Sequence, residues 1–248
     1  MSIHSFGNSN KPVIILIHGM LTPWEIWCPH IEYFSANYHV LVPELGGHSG
    51  NKTDQFSSIE DECIKIETFL HNNSINEIFA VCGLSLGGAV AYKIWERKRV
   101  NIKNLVLDGA PLSRFGAIMK KVMTANYISI IEKSKSRDKK TLSNFSEYFL
   151  PAEYLQGYLK IADNITSESV AKIVSAISEE LISDEPLELE NVLYMYGTAM
   201  NEYLSRKSVK ALIKKGLKNS LRFDGQGHCY KAIYEPMEWC RIVEAFLT

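Results

Sequence analysis

Residues 78–89 read Ile78-Phe79-Ala80-Val81-Cys82-Gly83-Leu84-Ser85-Leu86-Gly87-Gly88-Ala89. An apolar, β-prone run enters a Gly-x-Ser-x-Gly pentapeptide and leaves it as a helical segment. A strand that turns at once into a helix holds its central residue in a strained conformation. Glycines two positions to either side relieve the crowding that side chains would cause there. The Ser85 hydroxyl is then pushed out at the sheet edge, above a helix N-terminus whose dipole and Leu86 N–H face the place where an oxyanion would form. The alternative is a tight turn with an idle serine, but the strand before, the helix after and the additional Gly88 favour a nucleophile.

Outward from this turn, short β-branched runs alternate with helical patterns along the chain. Strands are expected at Pro12–His18, His39–Pro43, Glu77–Gly83, Lys103–Asp108, Asn191–Gly197 and Ser220–Phe223, with Ser2–Phe6 as an extra edge strand. The run Val13-Ile14-Ile15-Leu16-Ile17 is continuously apolar rather than alternating, as befits a parallel strand covered by helices on both faces. Helices are expected at Ser57–His71, Ala89–Arg97, Tyr203–Lys215 and Pro236–Leu247. The pattern predicts an α/β fold with a doubly wound, mostly parallel sheet.

One segment departs from the alternation: Leu112–Glu190 contains no convincing strand. Val170, Ile173, Val174, Ile177 and Leu181 form a helical stripe, and an aromatic-rich stretch containing Phe145, Tyr148, Phe149, Tyr154 and Tyr158 is broken at Pro151. An all-helical insertion between two late strands cannot complete a sheet, so residues 112–190 are expected to form a cap or lid over the carboxyl ends of the strands. Residues 1–111 and 191–248 then form the core. The bland reading of these apolar stripes is that they pack the insertion on itself.

Two loops add to the chemistry of Ser85. His18-Gly19-Met20 follows the strongest apolar strand, where Gly19 and the Met20 N–H would supply the second oxyanion donor, with His18 in a structural role. Pro43-Glu44-Leu45-Gly46-Gly47-His48-Ser49 follows another strand, and His48 is expected to brace that turn. Near the C-terminus, Gly225-Gln226-Gly227-His228 follows the last strand. Small neighbours leave its imidazole room to act first as base and then as acid. His228 is the only histidine downstream of Ser85, which selects it as the partner of that serine.

With His18-Gly19, Pro43–Ser49, Gly83–Gly87 and Gly225–His228 in this order, the chain resembles the α/β-hydrolase superfamily over nearly its whole length. The resemblance implies a serine–histidine–acid triad, a lid at Leu112–Glu190 and no cofactor. The superfamily usually places an aspartate after the penultimate strand in a Gly-x-x-Asp turn. Here Gly197-Thr198-Ala199-Met200-Asn201-Glu202 puts methionine at that spacing and the first carboxylate two residues later. Two acids therefore stand as candidates: Glu202, if the turn is lengthened, and Asp108, at the carboxyl end of the strand after the elbow. Either could instead be a capping or turn carboxylate.

Composition narrows the partners. The chain has 248 residues, 46% apolar and 22% charged, and a net charge of −1 that offers no field for nucleic acid or an anionic membrane. Lys133–Lys140, the densest basic stretch, is interrupted by Asp138 and is expected to be a solvated loop. Five cysteines without a Cys-x-x-Cys spacing argue against a disulfide framework and a zinc site, and fit a reduced compartment. No run approaches the roughly 18 apolar residues of a membrane span, and Met1–Asn10 lacks an apolar signal core, so a cytoplasmic location is expected. The expected function is hydrolysis of a small, apolar carboxylic ester or thioester through an acyl-enzyme. The alternatives are a cofactor-free acyltransferase or haloperoxidase-like enzyme, and a catalytically idle hydrolase fold that acts as a binding module.

Overall fold

A computed structural model describes residues Met1–Thr248. Seven strands form one sheet: β1 (Ile3–Phe6), β2 (Val13–Ile17), β3 (His39–Pro43), β4 (Glu77–Leu84), β5 (Asn101–Asp108), β6 (Val192–Gly197) and β7 (Asn219–Phe223). Their order across the sheet is β1-β3-β2-β4-β5-β6-β7. Only β1 is antiparallel to its neighbour, pairing Ile3 with Pro43 and Phe6 with Val40. Every other pair is parallel, so β2, β3, β4, β5, β6 and β7 all end at one edge. That edge is where a sheet of this kind presents loops to a ligand.

The continuous apolar runs have the cause expected of them. Every residue of β2 and of β3 is buried because helices cover both faces of the sheet. The covering helices are α1 (Cys28–Phe34), α2 (Ile59–Asn72), α3 (Leu86–Arg97), α8 (Tyr203–Lys214), α9 (Tyr230–Tyr234) and α10 (Pro236–Leu247). Ser58 starts α2 by accepting a hydrogen bond from the Asp61 N–H, and Glu60, Asp61 and Glu62 place negative charge in its first turn. Pro236 opens α10 at a position where its missing N–H costs nothing.

Between β5 and β6 run four helices and no strand: α4 (Ala117–Lys135), α5 (Lys139–Tyr148), α6 (Leu155–Asn164) and α7 (Ser167–Ala176). The two ends of this segment are tied together, with the Leu181 N–H donating to the Leu112 carbonyl at 2.9 Å. Its far side is tied to the core, where the Phe56 N–H donates to Ser169 Oγ at 2.7 Å and the Thr166 N–H to Gln55 Oε1 at 3.0 Å. Inside the segment, Phe145 stacks on Tyr158 with ring centroids 3.8 Å apart, and Tyr158 shares a buried hydrogen bond with Ser134.

Several local expectations need correction. Helix α3 begins at Leu86, not Ala89, because the glycines after Ser85 already lie in its first turn. The basic stretch 133–140 is mostly helical: Lys133 and Lys135 end α4, and Asp138 caps α5 by accepting from the Thr141 N–H. The short helices α1 and α9 were not expected. No helix is long and apolar enough to cross a membrane.

Candidate active site

The elbow at the end of β4 carries the strain that its sequence implies. Ser85 has φ 50° and ψ −114°, a backbone conformation that side chains rarely adopt. It is held there by its N–H, which donates to the Asp108 carbonyl at 2.8 Å, and by its carbonyl, which accepts from the Ala89 N–H. A Cβ at Gly87 would collide with the backbone of Ile17 and His18, and one at Gly88 would stand 2.7 Å from Ala110 Cβ. The glycines thus let α3 press against β2 and β5, with the first turn of that helix directly behind the serine.

His228 sits beyond β7 on the loop before α9. Its Nδ1 lies 3.2 Å from Glu202 Oε1, and the Cys229 N–H reaches the same oxygen at 3.3 Å. Cys229 takes a left-handed conformation, φ 52°, that turns this N–H toward the carboxylate. Glu202 closes a 3-10 turn, Met200–Glu202, immediately before α8, and its side chain is fully buried. The turn supplies the additional residues by which this carboxylate is displaced from the usual spacing. Glu202 and the more distant Asp108 favour the imidazolium, and His228's pKa lies above the ordinary histidine value although burial, the largest single influence, pulls it down.

Asp108 is also buried, at the end of β5, but its carboxylate is bound elsewhere: Oδ2 accepts from Trp239 Nε1 at 3.0 Å. Burial first, and the Glu202 charge second, push its carboxyl up to about 7, against the opposing influence of His228 and Trp239. Of the two candidate acids, Glu202 is therefore the one hydrogen-bonded to the imidazole.

The loop after β2 is locked by two neutral histidines. The Leu45 N–H donates to His18 Nε2 at 3.0 Å and the Leu21 N–H to His48 Nε2 at 2.9 Å. Each ring must then carry its proton on Nδ1, which donates to the Gly19 carbonyl in His18 and to the Gly46 carbonyl in His48. Burial lowers His18 to about 3 and His48 to about 4, so neither ring is charged near neutrality. Gly19 packs beside Ser85, an added Cβ there lying 3.5 Å from Ser85 Cβ. The Met20 and Leu86 N–H groups make no hydrogen bond within the protein.

Ser85, His228, Gly19 and Met20 line one cavity of about 90 Å³, with Asn201 at its rim. Leu86 itself is buried behind it. Tyr127 of α4, Phe145 and Tyr148 of α5 and the following Phe149 form the opposite wall. A larger depression, about 820 Å³, lies at the amino ends of β5 and β6 and is lined by no serine, cysteine or histidine. Sequence reasoning missed Gly109, Cys229 and Trp239. Gly109 has φ +65°, and a Cβ there would stand 2.7 Å from His228 Cε1, so the imidazole rests on bare backbone. The Asp-Gly pair at a strand end was the available signal for Gly109. Nothing in the sequence marked Trp239, which reaches Asp108 from α10.

No model of a known protein family matches the chain. It is 42% identical over 45 residues to (E)-2-((N-methylformamido)methylene)succinate hydrolase of Acinetobacter baylyi, a match covering 18% of the chain and 17% of that protein. It is 30% identical over 100 residues to pimeloyl-(acyl-carrier protein) methyl ester esterase of Aromatoleum aromaticum, covering 40% of the chain and 38% of that relative. The matches thus span less than half the length of these curated relatives. Among solved structures, a protein of Desulfitobacterium hafniense assigned to the alpha/beta hydrolase family superposes with a TM-score of 0.76 at 20% identity, over 100% of both chains. A carboxylesterase of Nitrososphaera gargenis gives 0.75 at 14% identity over 99% of this chain and 93% of its own. MenH from S. aureus gives 0.70 at 16% identity over 99% and 97%. With the sheet order, the elbow and these superpositions in agreement, the chain has the α/β-hydrolase fold.

Proposed function

We propose that the protein is a serine hydrolase that cleaves a small, apolar carboxylic ester or thioester through an acyl-enzyme. The observation that carries this reading is the convergence of Ser85 and His228 on one cavity, with the buried Glu202 carboxylate hydrogen-bonded to the imidazole on its far side. Relatives named as an ester esterase and a hydrolase support the same class.

In this scheme Ser85 Oγ attacks the substrate carbonyl carbon while His228 Nε2 takes the hydroxyl proton. The carbonyl oxygen gains the negative charge and is met by the Met20 and Leu86 amides, which have no other acceptor. Collapse of the tetrahedral intermediate breaks the ester bond, and His228 returns its proton to the departing alcohol. Water then repeats the sequence on the acyl-enzyme, giving the acid and the free serine. Glu202 keeps the imidazole in the tautomer with Nδ1–H and stabilises the imidazolium that forms twice per turnover. Residues 112–190 act as the lid, and their aromatic wall keeps bulk water from the site.

Steady-state hydrolysis of p-nitrophenyl acetate and butyrate by the wild type and by Ser85→Ala tests this reading. The wild type is expected to turn over both esters and the variant to fall to background. A variant as active as the wild type would remove Ser85 from the chemistry. Added methanol separates hydrolysis from acyl transfer: methyl ester as the main product would make the protein an acyltransferase.

A further inference from the structure

Fourteen residues line the cavity, and none is a lysine, arginine, aspartate or glutamate. Its polar atoms include the Thr22 hydroxyl, already donating to the Gly19 carbonyl, the Asn201 amide, and the His228 imidazole, which is uncharged in the form that accepts the Ser85 proton. The Cys229 thiol, also in the wall, is kept neutral by burial and by the neighbouring Asp108 and Glu202 charges. Three cations close in sequence to Asn201 and His228 are engaged elsewhere. Arg206 donates to the Thr198 carbonyl, Lys207 to the Arg114 carbonyl, and Lys231 pairs with Glu235 and Glu238. Behind His228, by contrast, stand two buried carboxyl groups, Glu202 and Asp108. The site is therefore apolar at its walls and electronegative at its base.

We propose that the pocket selects substrates by charge, accepting uncharged acyl groups and rejecting acyl chains that end in a carboxylate. An ionised carboxylate entering beside the uncharged, working form of His228 would give up its hydration without gaining a cation, and it would approach the Glu202 carboxylate, which has its own sign. An alkyl chain of the same length suffers neither penalty and gains contact with Tyr127, Phe145, Tyr148 and Phe149. The A. baylyi relative, named for a succinate derivative, acts on the opposite kind of substrate; that contrast fits a match covering 18% of this chain. The proposal rests on the serine-hydrolase reading and specifies its substrate class.

The test compares kcat/KM for three esters of a six-carbon acyl chain: p-nitrophenyl hexanoate, mono-p-nitrophenyl adipate, and the methyl ester of the latter, which keeps that chain and removes the charge. The neutral hexanoate is expected to be preferred over the adipate monoanion by at least about 100-fold. Masking the carboxylate as its methyl ester should recover most of that difference. Asn201→Arg, which puts a guanidinium at the rim of the cavity, should raise the adipate-to-hexanoate ratio by about 10-fold or more. Equal rates for hexanoate and the adipate monoanion would overturn charge selection while leaving the hydrolase reading intact. A slow adipate whose methyl ester is equally slow would overturn it too, by assigning the discrimination to shape. Failure of the wild type to hydrolyse any of the three or to react with a neutral fluorophosphonate would sink the hydrolase reading, and charge selection with it.

Discussion

At the scale of single residues, the assignment that matters most is the acid. The sequence left Glu202 and Asp108 open because the usual position after β6 holds Met200, and nothing local reveals that a 3-10 turn carries Glu202 back to His228. The placement of Ser85 and His228 at one cavity was legible because their constraints are local: a strand, two glycines and a helix for one, a small-residue loop after the last strand for the other. Gly109 and the Cys229 N–H were not, since their roles depend on loops meeting across the sheet edge. Glu202→Gln is expected to lower kcat/KM by about 10³-fold, and Asp108→Asn by less than about 10-fold, because Asp108 is bound to Trp239. A larger loss in Asp108→Asn would reverse the assignment. The pH profile gives a second reading of the same pair. His228 must be neutral to accept the Ser85 proton, so activity should rise with pH through a midpoint above the ordinary histidine value. Glu202→Gln, which removes a charge favouring the imidazolium, should move that midpoint to lower pH. Gly109→Ala should reduce activity at least about 10-fold, because its Cβ would displace the imidazole and its φ of +65° suits glycine. Wild-type rates in that variant would show that the contact is not limiting.

Among the elements, α4 and α5 carry the most specific consequence. The aromatic stretch was readable as helical from its place between strands, whereas which aromatics line the cavity with the serine depended on how four helices pack. A cavity of about 90 Å³ is small beside the roughly 300–1,000 Å³ of ordinary ligand sites, and Tyr148 and Phe149 are among the side chains that line it. Both are also partly exposed, and trimming them to alanine costs little core packing. Tyr148→Ala combined with Phe149→Ala should therefore move the preferred p-nitrophenyl ester toward longer chains, raising kcat/KM for the decanoate relative to the butyrate. An unchanged chain-length profile would mean that these residues do not bound the site. Helices α1 and α9 escaped the sequence reading because seven and five residues are too few to display a periodic apolar stripe.

Across the whole molecule, the sheet was legible in advance because strands buried on both faces, such as β2 and β3, leave continuous apolar runs between turns and helical segments. The same sheet brings the ends of β4, β5, β6 and β7 to one edge and concentrates two carboxyl groups there, which has a cost in stability. With its carboxyl pushed up to about 7, Asp108 holds a proton in the folded chain that the unfolded chain releases near about pH 4. Its contribution to stability is complete below that value and is lost as pH rises through about 7. Asp108→Asn keeps an acceptor for Trp239 and removes the titration. The Tm difference, variant minus wild type, should therefore be more positive at about pH 8.5 than at about pH 5. A difference that does not change with pH would contradict this. The central claim, an activated serine worked by His228 and Glu202, is tested most directly by intact-mass kinetics with a fluorophosphonate. A single adduct is expected on the wild type, none on Ser85→Ala, much slower labelling of Glu202→Gln and near-normal labelling of Asp108→Asn. A folded wild type that never takes the label would contradict the account.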